Sequence, residues 1–253
     1  MEQQEEREYV MGLEKGLAII EAFGLRRGAL NLTQAAEITG HTKASVRRCL
    51  LTLCRLGYAV QDGRQYRLAP RVLRLGQAFV ASEPLARVAQ PFLEMASERT
   101  REAASIAVLD SQDAVFIARS AQRRSLSGGL GVGSRLPAYC SATGRVLLGT
   151  LPPEQVTFML NRMARPALTP HTQTAVPDIL REIDQARRIG YSICDEELEI
   201  GLRSIAVPIR DGRGDVIAAM SLSVATSRLT RQQTIEQLLP ALEAARRDFA
   251  DLL

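Results

Sequence analysis

Leu13, Leu17, Ile20 and Phe23 recur at helical spacing and predict a first helix from about Met11 to Phe23. The stretch Leu32-Thr-Gln-Ala-Ala-Glu-Ile-Thr-Gly40 keeps Leu32, Ala35, Ala36 and Ile38 apolar, with Thr33 as its expected N-cap and Gly40 as its stop. After Gly40-His41, Thr42 is placed to cap a third helix running to about Leu56, in which Val46, Leu50, Leu53 and Leu56 repeat. Two short helices joined by a tight glycine turn predict a helix-turn-helix. Gly57 to Leu68 then reads as two short strands around the hairpin signal Asp62-Gly63, a wing with Arg64 and Arg67 near its tip.

Beyond Pro70, Arg71 to about Ser82 reads as a linker helix with Val72, Leu75 and Phe79 on one side. A long helix over about Leu85–Arg101 opens a second domain. Strands are expected at Ser105–Leu109, Ala114–Arg119, Tyr191–Cys194, Leu202–Arg210 and Val216–Val224, with helices near Ser141–Gly149, Pro153–Met163, Val176–Ile189 and Arg231–Leu252. The pattern is α+β with a mainly antiparallel sheet. It divides the chain into residues 1–69, a linker 70–82 and a second domain 83–253.

Charge sharpens the picture of the first part. Residues 1–76 carry twelve Lys/Arg against eight Asp/Glu, whereas residues 77–253 carry twenty of each. Between Asn31 and Arg74 eight bases face only Glu37 and Asp62, the electrostatic mark of a polyanion-binding face. The third helix would enter a DNA major groove by its N-terminal end, so Thr42, Lys43, Ser45, Arg47 and Arg48 are candidate groove and backbone contacts, with Arg64 on the wing. Sequence alone does not sort base readout from phosphate contact in that set.

The rest of the composition narrows the function classes. A 46% hydrophobic, 24% charged chain of 253 residues is that of an ordinary soluble protein, with no apolar run of membrane-spanning length. The acidic start Met1-Glu-Gln-Gln-Glu-Glu-Arg-Glu8 does not read as a signal peptide. Cys49, Cys54, Cys140 and Cys194 lack metal-ligand spacing, so a cytoplasmic protein with reduced, buried thiols and neither metal nor cofactor is expected. Cys140, His171 and Asp195 could be imagined as a hydrolase set, but no nucleophile signature surrounds them, and a non-enzyme is expected. His41 could touch phosphate.

Two features of the second domain point to a ligand. The turn Asp211-Gly-Arg-Gly214 is expected to place Ser204 opposite Ser221 and Ala206 opposite Ala219, with Ser223 on the same face. That row of hydroxyls and small side chains faces either water or a small pocket. The glycine-rich run Ser127–Ser134 leads to Ser141-Ala-Thr-Gly-Arg145, where Ser141 is placed to cap a helix and leave the amides of Ala142 and Thr143 free. Such an end suits a carboxylate, and it also suits an ordinary capped helix with no ligand.

Six segments, taken together and in order, resemble the IclR family of bacterial regulators over nearly the whole chain. They are Gly12–Phe23, Leu32–Gly40, Lys43–Tyr58, Arg135–Leu148, Asp195–Ile209 and Ala218–Ser223. The block Arg135-Leu-Pro-Ala-Tyr-Cys140 is most similar to members controlling aromatic-acid catabolism through the β-ketoadipate pathway, although Ser141-Ala-Thr-Gly144 departs from the Thr-Ser-Met-Gly usual there. The resemblance implies a winged helix-turn-helix, a linker helix and a GAF-like α/β effector domain, in homodimers or tetramers bound to palindromic double-stranded operator DNA. It implies an effector that is a small carboxylate such as 4-hydroxybenzoate or protocatechuate. It also carries the effector site onto Ala142, Thr143, Ser204, Ser221 and Ser223, with Cys194 lining the cavity and Leu130, Leu136 and Tyr139 as a weaker apolar wall. The alternatives are a regulator of another small-acid pathway and an architectural DNA-binding protein without effector.

Overall fold

The structure, a computed structural model, describes residues 9–26, 28–120 and 129–250. Ser127 and Gly128 of the glycine-rich run lie outside them. The chain separates into two compact units, Met1–Phe79 and Val80–Leu253.

In the first unit α1 (Met11–Leu25), α2 (Leu32–Thr39) and α3 (Lys43–Leu56) pack around Ile19, Phe23, Ala35, Val46 and Leu50. The N-cap of α2 is Asn31 rather than Thr33. Its side chain accepts from the Gln34 amide at 2.9 Å while the Gln34 side chain accepts from the Asn31 amide at 3.0 Å, a reciprocal box that satisfies two otherwise orphaned donors. Gly40 ends α2 in the left-handed region at φ 70°, where a β-carbon is costly. Thr42 caps α3 as expected, accepting from the Ser45 amide. The wing strands β2 (Ala59–Asp62) and β3 (Gln65–Leu68) pair antiparallel, and a third short strand, β1 (Leu30–Asn31), joins β3 through Leu30 opposite Tyr66. A 3-10 turn, Pro70–Val72, precedes α4 (Leu73–Ser82), and no side chain of α4 is buried.

In the second unit α5 (Pro84–Thr100) precedes the hairpin β4 (Ala103–Asp110) and β5 (Asp113–Ser120). Then come β6 (Arg135–Pro137), a 3-10 turn over Ala138–Cys140, α6 (Ala142–Leu148), α7 (Pro153–Arg162) and α8 (Val176–Ile189). The chain closes with β7 (Ser192–Asp195), β8 (Leu202–Arg210), β9 (Val216–Ala225) and α9 (Arg231–Ala250). Among the described residues the strands form a six-stranded sheet of order β6-β5-β4-β9-β8-β7, antiparallel at every pairing. One face carries Ile106, Ile205, Val207, Met220, Leu222 and Val224 against α5 and α9. The other carries Ala107, Ala206, Ala219 and Cys194 against α6.

The β8–β9 register differs from the expected one. Ser204 lies opposite Ser223, and Ala206 opposite Ser221. The turn closes at Asp211 and Asp215 around three residues rather than two, with Gly214 at φ 89° and the Asp211 carboxylate accepting from the amides of Arg213 and Asp215. A bulge between Ile209 and Arg210 then adds a second one-residue step. One step would have turned every side chain to the wrong face; two steps return them to the expected one.

Candidate functional site

On the first unit, Lys43, Ala44, Arg47, Arg48 and Leu51 lie on the exposed side of α3, and Thr42 is exposed at its start. Arg64 and Arg67 are exposed on the wing. Ser45 is different: it is buried beside Val46, so its side chain belongs to the core of the unit and is withdrawn as a groove contact. Arg71, counted in the basic segment, is also occupied, donating to the Leu56 carbonyl and stacking over Tyr58 at 5.8 Å. His41 is half-buried in the turn.

On the second unit, the small-residue face of the sheet is covered. Ala142, Val146 and Leu147 of α6 lie against Ala206 and Ala219, and Ser221 is only 3% exposed. Ser204 and Ser223 of the hydroxyl row are half-buried. Register aligns two rows across this face. One runs Arg119, Ser105, Ser221, Ala206, Ser192; the next runs Ala103, Ser223, Ser204, Cys194. No described residue hydrogen-bonds the hydroxyls of Thr143, Ser204, Ser221 or Ser223.

The start of α6 is held from several sides. Ser141 Oγ donates to the Pro137 carbonyl at 2.9 Å and accepts from the Gly144 amide at 3.2 Å, and the Ser141 carbonyl accepts from Arg145. The amides of Ala142 and Thr143, the first of the helix, have no carbonyl within it to bond. Gly144 permits this fit: a β-carbon there would stand 2.3 Å from Ala138 Cα. Leu130 and Leu136 pack at the edge of the same cluster. Tyr139 does not. It packs with Leu148, Val156, Leu160 and Ile179 away from the hydroxyl face, and its hydroxyl donates to the Pro166 carbonyl at 2.5 Å.

Arg119, Ser105 and Ser192 were missed from sequence. Arg119 donates to Ser105 Oγ at 2.7 Å and lies 5.4 Å from the Phe116 ring centre; burial lowers its pKa. Its place depends on a β-bulge after Ile106, which shifts Arg119 opposite Ser105 and which no turn signal announces. The hydrolase set does not assemble. Burial pushes the Cys140 thiol up to about 11, Asp195 is paired with Arg203 at 2.8 Å, and His171 is exposed. Among the described residues no cluster of His, Cys, Asp and Glu is arranged to hold a metal, and no helix is long and apolar enough to cross a membrane.

Residues 12–63 match the IclR helix-turn-helix domain, and residues 77–250 match the C-terminal domain of bacterial IclR transcriptional regulators. The chain is 44% identical to the Pca regulon regulatory protein of Pseudomonas putida, over 97% of this chain and 85% of that protein. It is 39% identical to the p-hydroxybenzoate hydroxylase transcriptional activator of Acinetobacter baylyi, over 97% of this chain and 93% of the other. The crystal structure of a homologue from Microbacterium hydrocarbonoxydans complexed with 4-hydroxybenzoate superposes with a TM-score of 0.75 at 26% identity, covering 94% of this chain and 98% of that one.

Proposed function

This chain belongs to the IclR family of DNA-binding transcriptional regulators, and from that premise we propose that its effector is a small aromatic carboxylate, 4-hydroxybenzoate or protocatechuate, bound between α6 and the serine face of the sheet. The observation that carries the reading is the covered face itself: unengaged hydroxyls of Thr143, Ser204, Ser221 and Ser223, with the half-buried Arg119 guanidinium in the same rows. A carboxylate is the complement of that set, since charge-assisted bonds to hydroxyls, amides and a guanidinium are the strong ones. The apolar members Ala107, Phe116, Ala206, Ala219, Leu130 and Leu136 suit a ring. The named functions of the Pseudomonas and Acinetobacter relatives, and the 4-hydroxybenzoate in the Microbacterium homologue, lie in the same chemistry.

The regulator acts without catalysis, in the cytoplasm, as a homodimer or tetramer whose α3 helices read an inverted repeat. Residues 1–69 serve DNA, 70–82 link, and 83–253 sense the acid. Calorimetric titration with 4-hydroxybenzoate, protocatechuate, pyruvate and acetate tests the effector reading. Saturable binding of a benzoate, with at least tenfold preference over the aliphatic acids, is the expected result; no benzoate binding removes it.

A further inference from the structure

Among the described residues Arg145 is the bulkiest fully buried side chain, and it serves neither DNA nor the proposed ligand directly. It leaves α6 one turn after Ala142 and forms a two-pronged pair with Glu197, Nη1 to Oε1 at 2.6 Å and Nη2 to Oε2 at 2.7 Å. The side chains are 1% and 7% exposed. Its Nε donates to the Tyr139 carbonyl at 3.0 Å, and Nη1 lies 3.2 Å from Cys194 Sγ. Cys194 is the direct cross-strand neighbour of Ser204. The pair therefore stands beside the serine face, on the side of the sheet that α6 covers. Glu197 is fixed in turn: Oε2 accepts from the Gln173 amide at 3.0 Å, and its carbonyl accepts from Thr172 Oγ1 at 2.7 Å.

Stability does not explain this arrangement. Two charges taken from water gain little net over apolar side chains of similar volume, and α6 already has Ala142, Val146 and Leu147 to pack on the sheet. What a forked pair supplies is geometry, because both prongs bond only at one rotation and one height. The Ser141 cap and the close approach of Gly144 to Ala138 fix the first turn of this short helix, and the fork ties the turn that follows to Glu197 and Cys194.

We propose that Arg145 and Glu197 are positioning residues for the effector, holding the start of α6 at the height above Ser204, Ser221 and Ser223 where one acid spans both. This rests on the effector reading above. The test uses the full-length protein as wild type, Arg145→Lys, which keeps the charge and loses the fork, and the double variant Arg145→Met with Glu197→Leu, which replaces the pair by apolar volume. Each is followed by thermal melting, by gel shift on operator DNA without acid, and by calorimetry with 4-hydroxybenzoate and protocatechuate. The expected result is that the double variant still folds and melts cooperatively and binds operator as wild type does, while both variants bind the acid at least about tenfold more weakly. A strut that served only stability would be restored by the apolar double variant, with wild-type affinity for the acid. That result overturns the inference. So does loss of folding in both variants, which would make the pair a requirement of the fold. If wild type binds neither acid, the effector reading fails first and takes this inference with it; wild-type binding with unchanged variants sinks this inference alone.

Discussion

Ser221 and Ser223 differ in what surrounds them, and the difference sets what each hydroxyl contributes. Ser221 is 3% exposed, flanked by Ser105 and Ala206 in the middle of the sheet, while Ser223 lies one row along and is half-buried. A hydroxyl that bonds a charged group contributes about 1.5–3 kcal/mol, so Ser221→Ala should raise the dissociation constant for the cognate acid roughly ten- to a hundredfold. Ser223→Ala should do less, because water substitutes at a more open position. Calorimetry on variants with wild-type circular dichroism checks both; equal and unchanged affinities would place the acid elsewhere. Gly144→Ala should cost more than either and through another route. Its β-carbon meets backbone at 2.3 Å, so the turn Ala138–Cys140 must move, at about 1–3 kcal/mol or more of strain. A melting temperature lowered well below wild type, with acid affinity lost alongside it, is the expected outcome. Individual residues were also where sequence reading failed. Tyr139 was a weaker candidate for an apolar wall, but it lies in a 3-10 turn and packs with residues of α7 and α8. Arg119 went unseen because a bulge, not a turn, decides what faces Ser105.

At the scale of elements the sequence was far more legible, since helical periodicity and capping are local. The three helices of the first unit, the wing hairpin and the long strands β8 and β9 all lie where their patterns put them. Thr33 lost the α2 cap to Asn31 because the capping box needs Gln34 three residues on, and Asn31 also pairs with Gln65 as part of β1. Asn31→Ala therefore removes a cap worth about 1 kcal/mol, and chemical denaturation should show a loss of that order. In α3, burial separates the core residues Ser45, Val46 and Leu50 from the exposed Lys43, Arg47 and Arg48. Gel shifts at several salt concentrations should show weaker operator binding for Arg47→Ala and Arg48→Ala. Each should also show a salt slope reduced by about one unit, the signature of one phosphate contact removed. Unchanged affinity and slope in both would take this edge of α3 away from the phosphates.

For the whole molecule, a regulator with one recognition helix per chain reads a palindrome only as a pair. Footprinting should show two half-sites separated by a whole number of turns of about 34 Å each, and protection of a lone asymmetric half-site would contradict this. The thiols offer a second global readout. Burial pushes Cys140 up to about 11 and raises Cys194 as well, so neither should alkylate at pH 8 while the domain is folded, whereas denaturant should expose both. The division of labour within the second unit has a last consequence, for evolvability. The helix side is tightly constrained: Gly144 admits no side chain, Ser141 is bonded twice, and Arg145 is bonded to three neighbours. The sheet side is made of small residues, Ala107, Ser192, Ser204, Ala206 and Ala219, whose side chains make no hydrogen bond to another described residue. Such a floor can be resurfaced one residue at a time while the frame above it stays fixed. New acids should therefore be acquired through single exchanges on β7, β8 and β9, and a selection for altered inducers should return its mutations there, sparing α6.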